Sequence, residues 1–185
     1  IHARDFPGFH GASPTLEAPR DLVASISAAT ASASQVRDRF SVDGWTALND
    51  LAASASHAFA DIPPGHATAR VLGQLLHQVT GFSGLVHENM YRFAGWRFLT
   101  IGRALERAAN MTEALAWFAD EAAPEGSLDM VVEIGDSVLT HRRLFAVATT
   151  RSTVIDLLAC DANNPRSVIY QLAEMKEQVG FLPGA

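Results

Sequence analysis

Arg92, Arg97, Arg103 and Arg107 fall in one short stretch together with Glu88 and Glu106, and Arg142, Arg143, Asp161, Asn164 and Arg166 follow further along. A guanidinium is a planar, permanently charged fork that matches carboxylate and phosphate oxygens two at a time. If folding brings these stretches together, Arg92, Arg97, Arg103, Arg107, Arg142, Arg143 and Arg166 form a polar seam that holds an anion. Within it Arg92, Arg103, Arg107 and Arg166 are the expected anion contacts, and Glu88, Glu106 and Asp161 orient them. A second reading makes Glu88 or Glu106 a general base in an arginine-lined cleft. A third makes the seam a salt-bridge network that closes on its own acids, in a module for interaction or homo-oligomerisation.

Other chemistries lack their residues. A dinuclear carboxylate site on helices needs Glu-x-x-His pairs, and no Glu in this chain has His three positions later. His66, His77 and His87 are separated by eleven and ten residues, which turns them progressively around a helix and gives no single ligand face. No metal and no cofactor is therefore expected. Cys160 is the only cysteine, so neither an internal disulfide nor a cysteine zinc cluster is possible, and its apolar surroundings place it as a small core residue. There is no phosphate-cradling glycine loop and no serine-nucleophile elbow. A net charge of −6 argues against broad nucleic-acid binding; Lys176 is the only lysine, so nearly every cation is an arginine.

The elements that must position these residues read as helices. From Asp21 to about Phe40 an Ala- and Ser-rich run carries one thin apolar face. A short helix holding Trp45, Leu48 and Leu51 follows, and Pro63, Pro64 and Gly65 break the chain. Val71, Leu72, Leu75, Leu76, Val79, Phe82, Leu85 and Val86 then mark one face of a long amphipathic helix. Gly95 marks a turn before a second long helix that runs from Trp96 to about Glu121. Its inner stripe is Phe98, Ile101, Leu105, Ala108, Thr112 and Leu115, and the two long helices form a central hairpin. Ser127 caps a helix that ends at Arg142 and Arg143, an apolar run from Val154 to Cys160 follows, and Asn164 with Pro165 opens the last helix, with Val168, Ile169, Leu172, Met175 and Val179 inside. No period-two strand is present. The expectation is an all-α bundle of six or seven helices, with residues 1–19 an irregular lead and 20–185 a single domain. At 48% hydrophobic and 18% charged the chain has the composition of an ordinary globular protein. It shows no apolar run long enough for a membrane span and no secretory leader, so the default compartment is the cytoplasm. The missing initiator Met suggests a piece of a longer chain.

Several ordered blocks together resemble one family. Glu88, Asn89, Met90, Tyr91 and Arg92; Gly95 to Leu99; Gly102, Arg103, Leu105, Glu106, Arg107 and Ala108; and Asp161, Asn164, Pro165, Arg166, Ser167, Gln171 and Leu172 are similar to the alpha-E domain of bacterial proteins. The resemblance runs from about Val36 to Gly184 and looks like the C-terminal half or more of such a domain. It implies an all-helical domain encoded beside, or fused to, a circularly permuted ATP-grasp protein, often near a transglutaminase-like protease. That company implies ATP-dependent peptide or amide bond formation. The chain departs from the family's pattern at Thr30 to Ser34, where relatives tend to carry a polar Arg- and Glu-containing run, at Phe93, where an acid is common, and at His141, where Tyr is common.

Overall fold

A computed structural model of the chain describes residues 18–58, 66–146 and 148–183. The expected irregular lead before Ala18 and the Pro63-Pro64-Gly65 break lie outside the described residues. Among those described there are eight α-helices and no strand: α1 Ala18–Ser34, α2 Val42–Ala58, α3 His66–Asn89, α4 Ala94–Phe118, α5 Ser127–Ile134, α6 Val138–Phe145, α7 Arg151–Ile155 and α8 Val168–Val179. A 3-10 turn spans Arg37–Arg39, and a π-helical segment, Asp156–Cys160, continues α7. The chain divides into two compact units, Ile1–Tyr91 and Arg92–Ala185.

In the first unit α1 packs on α2 and α2 on α3. Ile26 and Ala33 of α1 meet Leu48, Leu51 and Ala55 of α2 and Leu75 of α3, with Phe40, Trp45, Val71 and Phe82 closing the edges. Arg37 lies 5.3 Å over the Trp45 ring, and Gln78 of α3 donates to the Ser54 hydroxyl of α2 at 3.0 Å. The apolar face of α3 is narrower than expected: Leu75 and Val86 are buried, while Leu72, Leu76 and Val79 are exposed. A helix that packs on one neighbour buries a strip about one side chain wide, and the broad apolar pattern overfills it.

In the second unit α4 packs along α8, and α5, α6, α7 and the π segment pack beside them. The core consists of Met111, Val131, Val132, Val154, Leu157 and Leu158. α4 begins at Ala94, so Gly95 lies inside its first turn and breaks nothing; it ends at Phe118, before Glu121. Its buried stripe is Trp96, Thr100, Ala104, Ala108 and Met111. This corrects the expected stripe by roughly a quarter turn of the helix: Phe98 is 62% and Leu105 57% exposed, and Ala108 is the one member fully buried. The reason is size. Thr100, Ala104 and Ala108 let α8 approach closely, and α8 turns Gln171 and Gln178 inward while Ile169, Leu172 and Val179 stay exposed; of the expected inner face, Val168 packs on the core and Met175 is half-buried.

The single helix expected from Ser127 to Arg143 is two. A Cβ at Gly135 would stand 2.6 Å from Leu158 Cδ2, and Asp136 takes a left-handed φ of 48°, so the chain turns there. Ser127 is the first helical residue of α5, not its cap; left-handed Gly126 precedes it, and the Ser127 hydroxyl donates to the Pro124 carbonyl at 2.6 Å. α7 starts on a capping box between Thr150 and Thr153. Cys160, expected in the core, is exposed at the end of the π segment, because widening the turn carries it past the buried pair Leu157 and Leu158. α8 starts at Val168 with Ser167 as cap; Asn164 and Pro165 precede it and do not open it.

Candidate anion-binding site

Two lateral contacts fix how α4 and α8 run. Arg97 Nη1 donates to Gln178 Oε1, and its guanidinium lies 4.2 Å from the Phe181 ring. At the other end the charge of Arg107 responds to Arg166 and Tyr170. Ten residues of α4 advance about 15 Å, as does the return along α8 from Gln178 to Val168. The helices are therefore antiparallel, and Arg107 lies beside the start of α8.

Arginines occupy one flank of α4. Arg103 and Arg107 share that side, in line with Trp96 of the buried stripe, and Arg92 precedes the helix. Near the helix start Arg92 lies 4.2 Å over the Trp96 ring and Arg97 lies 5.1 Å from it. Arg97 is thus committed to packing, held by Trp96, Phe181 and Gln178. One turn and more along, Arg103 and Arg107 are four residues apart, about 5–6 Å between Cβ atoms, and Arg166 approaches them from the loop before α8. All three remain exposed, with half-buried Tyr170 beside them. The pKa of Arg107 lies below the ordinary guanidinium value. Partial loss of water is the main cause, followed by the like charges of Arg103 and Arg166, and the Tyr170 phenol works in the opposite direction. Arg107 is exposed as a residue, so this desolvation is that of a group lying against a helix seam, not of one enclosed. Arg166 Nη2 meets Asp136 Oδ2 at 3.2 Å, and among the described residues no other salt bridge touches the three guanidiniums.

The loop that delivers Arg166 is built from buried polar groups. Asn164 is 7% exposed; its amide donates to the Leu157 carbonyl at 2.9 Å and to the Ser137 hydroxyl at 3.3 Å, and its Oδ1 accepts the Arg166 N–H at 3.0 Å. It ties the start of the π segment to the α5–α6 turn and sets the backbone from which Arg166 springs. The Ser167 hydroxyl donates to the Asp161 carbonyl at 2.6 Å and accepts from the Tyr170 N–H at 3.2 Å.

The remaining expected residues lie elsewhere. Asp161 accepts from the Asn163 N–H at 2.8 Å, which makes it a turn residue and not a partner of arginine. Asn164 is buried in the interior, with its side chain bonded as described above. Arg142 and Arg143 stand exposed at the end of α6, and no salt bridge among the described residues engages them. Glu106 is exposed on α4; Glu88 is exposed in the first unit, on the far side of the unit boundary from Arg92. Tyr170 and Asp136 were missed. Tyr170 could have been found four residues beyond Arg166; Asp136 carries no sequence signal beyond its place in a Gly-Asp turn. A cavity of about 620 Å³ opens between the end of α4 and the start of α5, lined by Phe118, Asp120, Glu121, Asp129 and Arg151 among others. Its acids are partly spent: Glu121 pairs with Arg151 at 2.8 Å and Asp129 accepts from Thr149. No group of three His, Cys, Asp or Glu among the described residues is placed to hold a metal ion.

Comparison with known proteins places this geometry. The family model described as a predicted alpha-helical domain with a conserved ER motif, Alpha-E, matches residues 15–185. The chain belongs to the Alpha-E family. The match begins well before Val36, so it takes in α1 and not only the later blocks. The one Glu-Arg step in the sequence is Glu106–Arg107, within α4, with Arg107 on the flank just described. Uncharacterized protein Rv2567 of Mycobacterium tuberculosis (strain ATCC 25618 / H37Rv) is 28% identical over 179 residues, covering 90% of this chain and 20% of that protein. Uncharacterized protein Mb2597 of Mycobacterium bovis (strain ATCC BAA-935 / AF2122/97) matches to the same extent. The chain thus spans about a fifth of the length of these curated relatives. No solved structure matches it. Within the described residues no helix is long and apolar enough to cross a membrane.

Proposed function

We propose that this Alpha-E chain is a helical binding domain serving an ATP-grasp type of amide ligase, and that it holds an anionic peptide or acyl-phosphate ligand on the arginine flank of α4. The observation that carries the reading is the pair Arg103 and Arg107, one turn apart and exposed on α4, with exposed Arg166 in the loop before α8 bonded to the carboxylate of Asp136. Like charges repel, and three on one surface patch are best explained by an anion that joins them. Glu106 supports binding over general-base catalysis, because it stands exposed on α4. The family resemblance supports the ligase partner and a role in peptide or amide bond formation.

Two measurements test the two halves. Mixing the chain with the circularly permuted ATP-grasp protein of the same genome should give a complex, or change that protein's turnover; neither happening removes the ligase connection. Titration with a short poly-glutamate peptide and with phosphate esters should shift the guanidinium Nε–H resonances of Arg103, Arg107 and Arg166. Shifts confined to other residues would remove the site.

A further inference from the structure

We propose that the cavity between the end of α4 and the start of α5 binds an alkyl polyamine, a chain of methylenes that carries several ammonium groups. None of the arginines on the α4 flank lines this cavity, so it stands apart from the anion-binding reading.

The cavity measures about 620 Å³, and its walls come from the second unit alone. That volume falls within the ~300–1,000 Å³ of small-molecule sites. Its walls are tied together before any ligand arrives. Arg151 Nη1 bonds Glu121 Oε1 at 2.8 Å and joins the chain after α4 to the first residue of α7, while the Thr149 hydroxyl donates to Asp129 of α5. In the turn between α4 and α5, Ser127 is 2% exposed and its hydroxyl holds the Pro124 carbonyl.

Charge names the class of ligand. Four carboxylates, Asp120, Glu121, Glu125 and Asp129, line the cavity against one guanidinium, Arg151, so three negative charges remain in excess. Arg151 is spent on Glu121, whereas the bonds that Asp120 and Asp129 accept come from a backbone N–H and a hydroxyl, which leave their charge in place. Among the described residues no salt bridge engages Asp120, Glu125 or Asp129. Carboxylates that face one space repel each other, and a cation that enters it is attracted by all of them.

That cation is larger than a metal ion. Among the described residues no three acids are placed around one point where an ion could sit, so the positive charge has to be spread along the ligand as the acids are spread along the wall. Half-buried Phe118 and Leu128 give the same cavity an apolar side, against which methylenes between ammonium groups pack. A bare ion would use none of that surface.

The test titrates the full chain, near physiological salt, with spermidine, which has three ammonium groups, and with putrescine, which has two. Spermidine should bind saturably at a single site, at least about fivefold tighter than putrescine, and should shift the amide resonances of Leu128, Asp129 and Thr149. Glu125→Gln changes an exposed side chain and Asp129→Asn keeps an acceptor for Thr149, so both should fold; each should weaken spermidine binding about three- to fivefold. Glu113→Gln removes an exposed carboxylate of α4 outside the cavity and should leave binding unchanged. Equal weakening by Glu113→Gln, or displacement of spermidine by magnesium at equal charge, would reduce the binding to diffuse attraction and overturn the proposal, as would the lack of saturable binding. Tighter binding of a trilysine peptide overturns the polyamine assignment.

Discussion

Asn164 does more for the second unit than its place beside a proline indicates. Its side chain satisfies a carbonyl left open at the π segment, a hydroxyl in the α5–α6 turn and the N–H of Arg166. Asn164→Ala leaves buried groups unpaired and should cost about 1–3 kcal/mol in urea denaturation; Asn164→Asp should cost at least as much, since it puts a carboxylate oxygen against the Leu157 carbonyl. Gly135 has a steric role. Its Cβ position is occupied by Leu158, which is fully buried and has no room to retreat, so Gly135→Ala should lower stability by about 1–3 kcal/mol through overpacking. A melting curve unchanged by Gly135→Ala would mean that the α5–α6 turn lies farther from the core than described. Gly135→Ala touches none of the arginines and should leave anion binding unchanged, whereas the two Asn164 variants disturb the acceptor of the Arg166 N–H and should weaken it.

At the scale of the helix, α4 shows where pattern and packing part. Its apolar residues recur at spacings that fit one stripe, yet its tight neighbour is α8, which needs small side chains. Ala104 is 2% exposed at the contact while Leu105 is 57% exposed beside it. Ala104→Leu should therefore destabilise by about 1–3 kcal/mol, and Leu105→Ser should stay within about 0.5 kcal/mol; the expected stripe demands the opposite order, so thermal melts of the two variants decide between them. Helix content, the two long helices and the all-α class were readable because proline, glycine and 3.6-residue periodicity act locally. Which face turns inward was not, because it depends on the partner helix, and a helix as alanine-rich as α4 offers two faces of similar quality. The candidate site was half legible for the same reason. Arg103 and Arg107 are a local pair that spacing reveals, and Arg166 sits in a block that the family resemblance singled out. Tyr170 joined them only through the antiparallel register of α8, Asp136 only through the α5–α6 turn that Asn164 ties to the loop of Arg166, and Arg97, alike in sequence, went to packing instead.

For the molecule as a whole, each unit carries its own apolar cluster, Leu48, Leu51 and Leu75 in one and Val131, Leu157 and Leu158 in the other. A fragment of residues 92–185 should consequently fold alone, with a helical circular dichroism spectrum and a cooperative melt; a fragment that stays unfolded would make the second core dependent on the first. Arg37 faces Trp45 in the first unit, and Arg92 faces Trp96 in the second. The third indole, Trp117, is more than half exposed. Replacing it with Phe leaves one fluorophore in each unit, set against a cation that shifts its emission. The protein then carries two native optical reporters, and the order in which its parts come undone on heating is readable without attaching a dye.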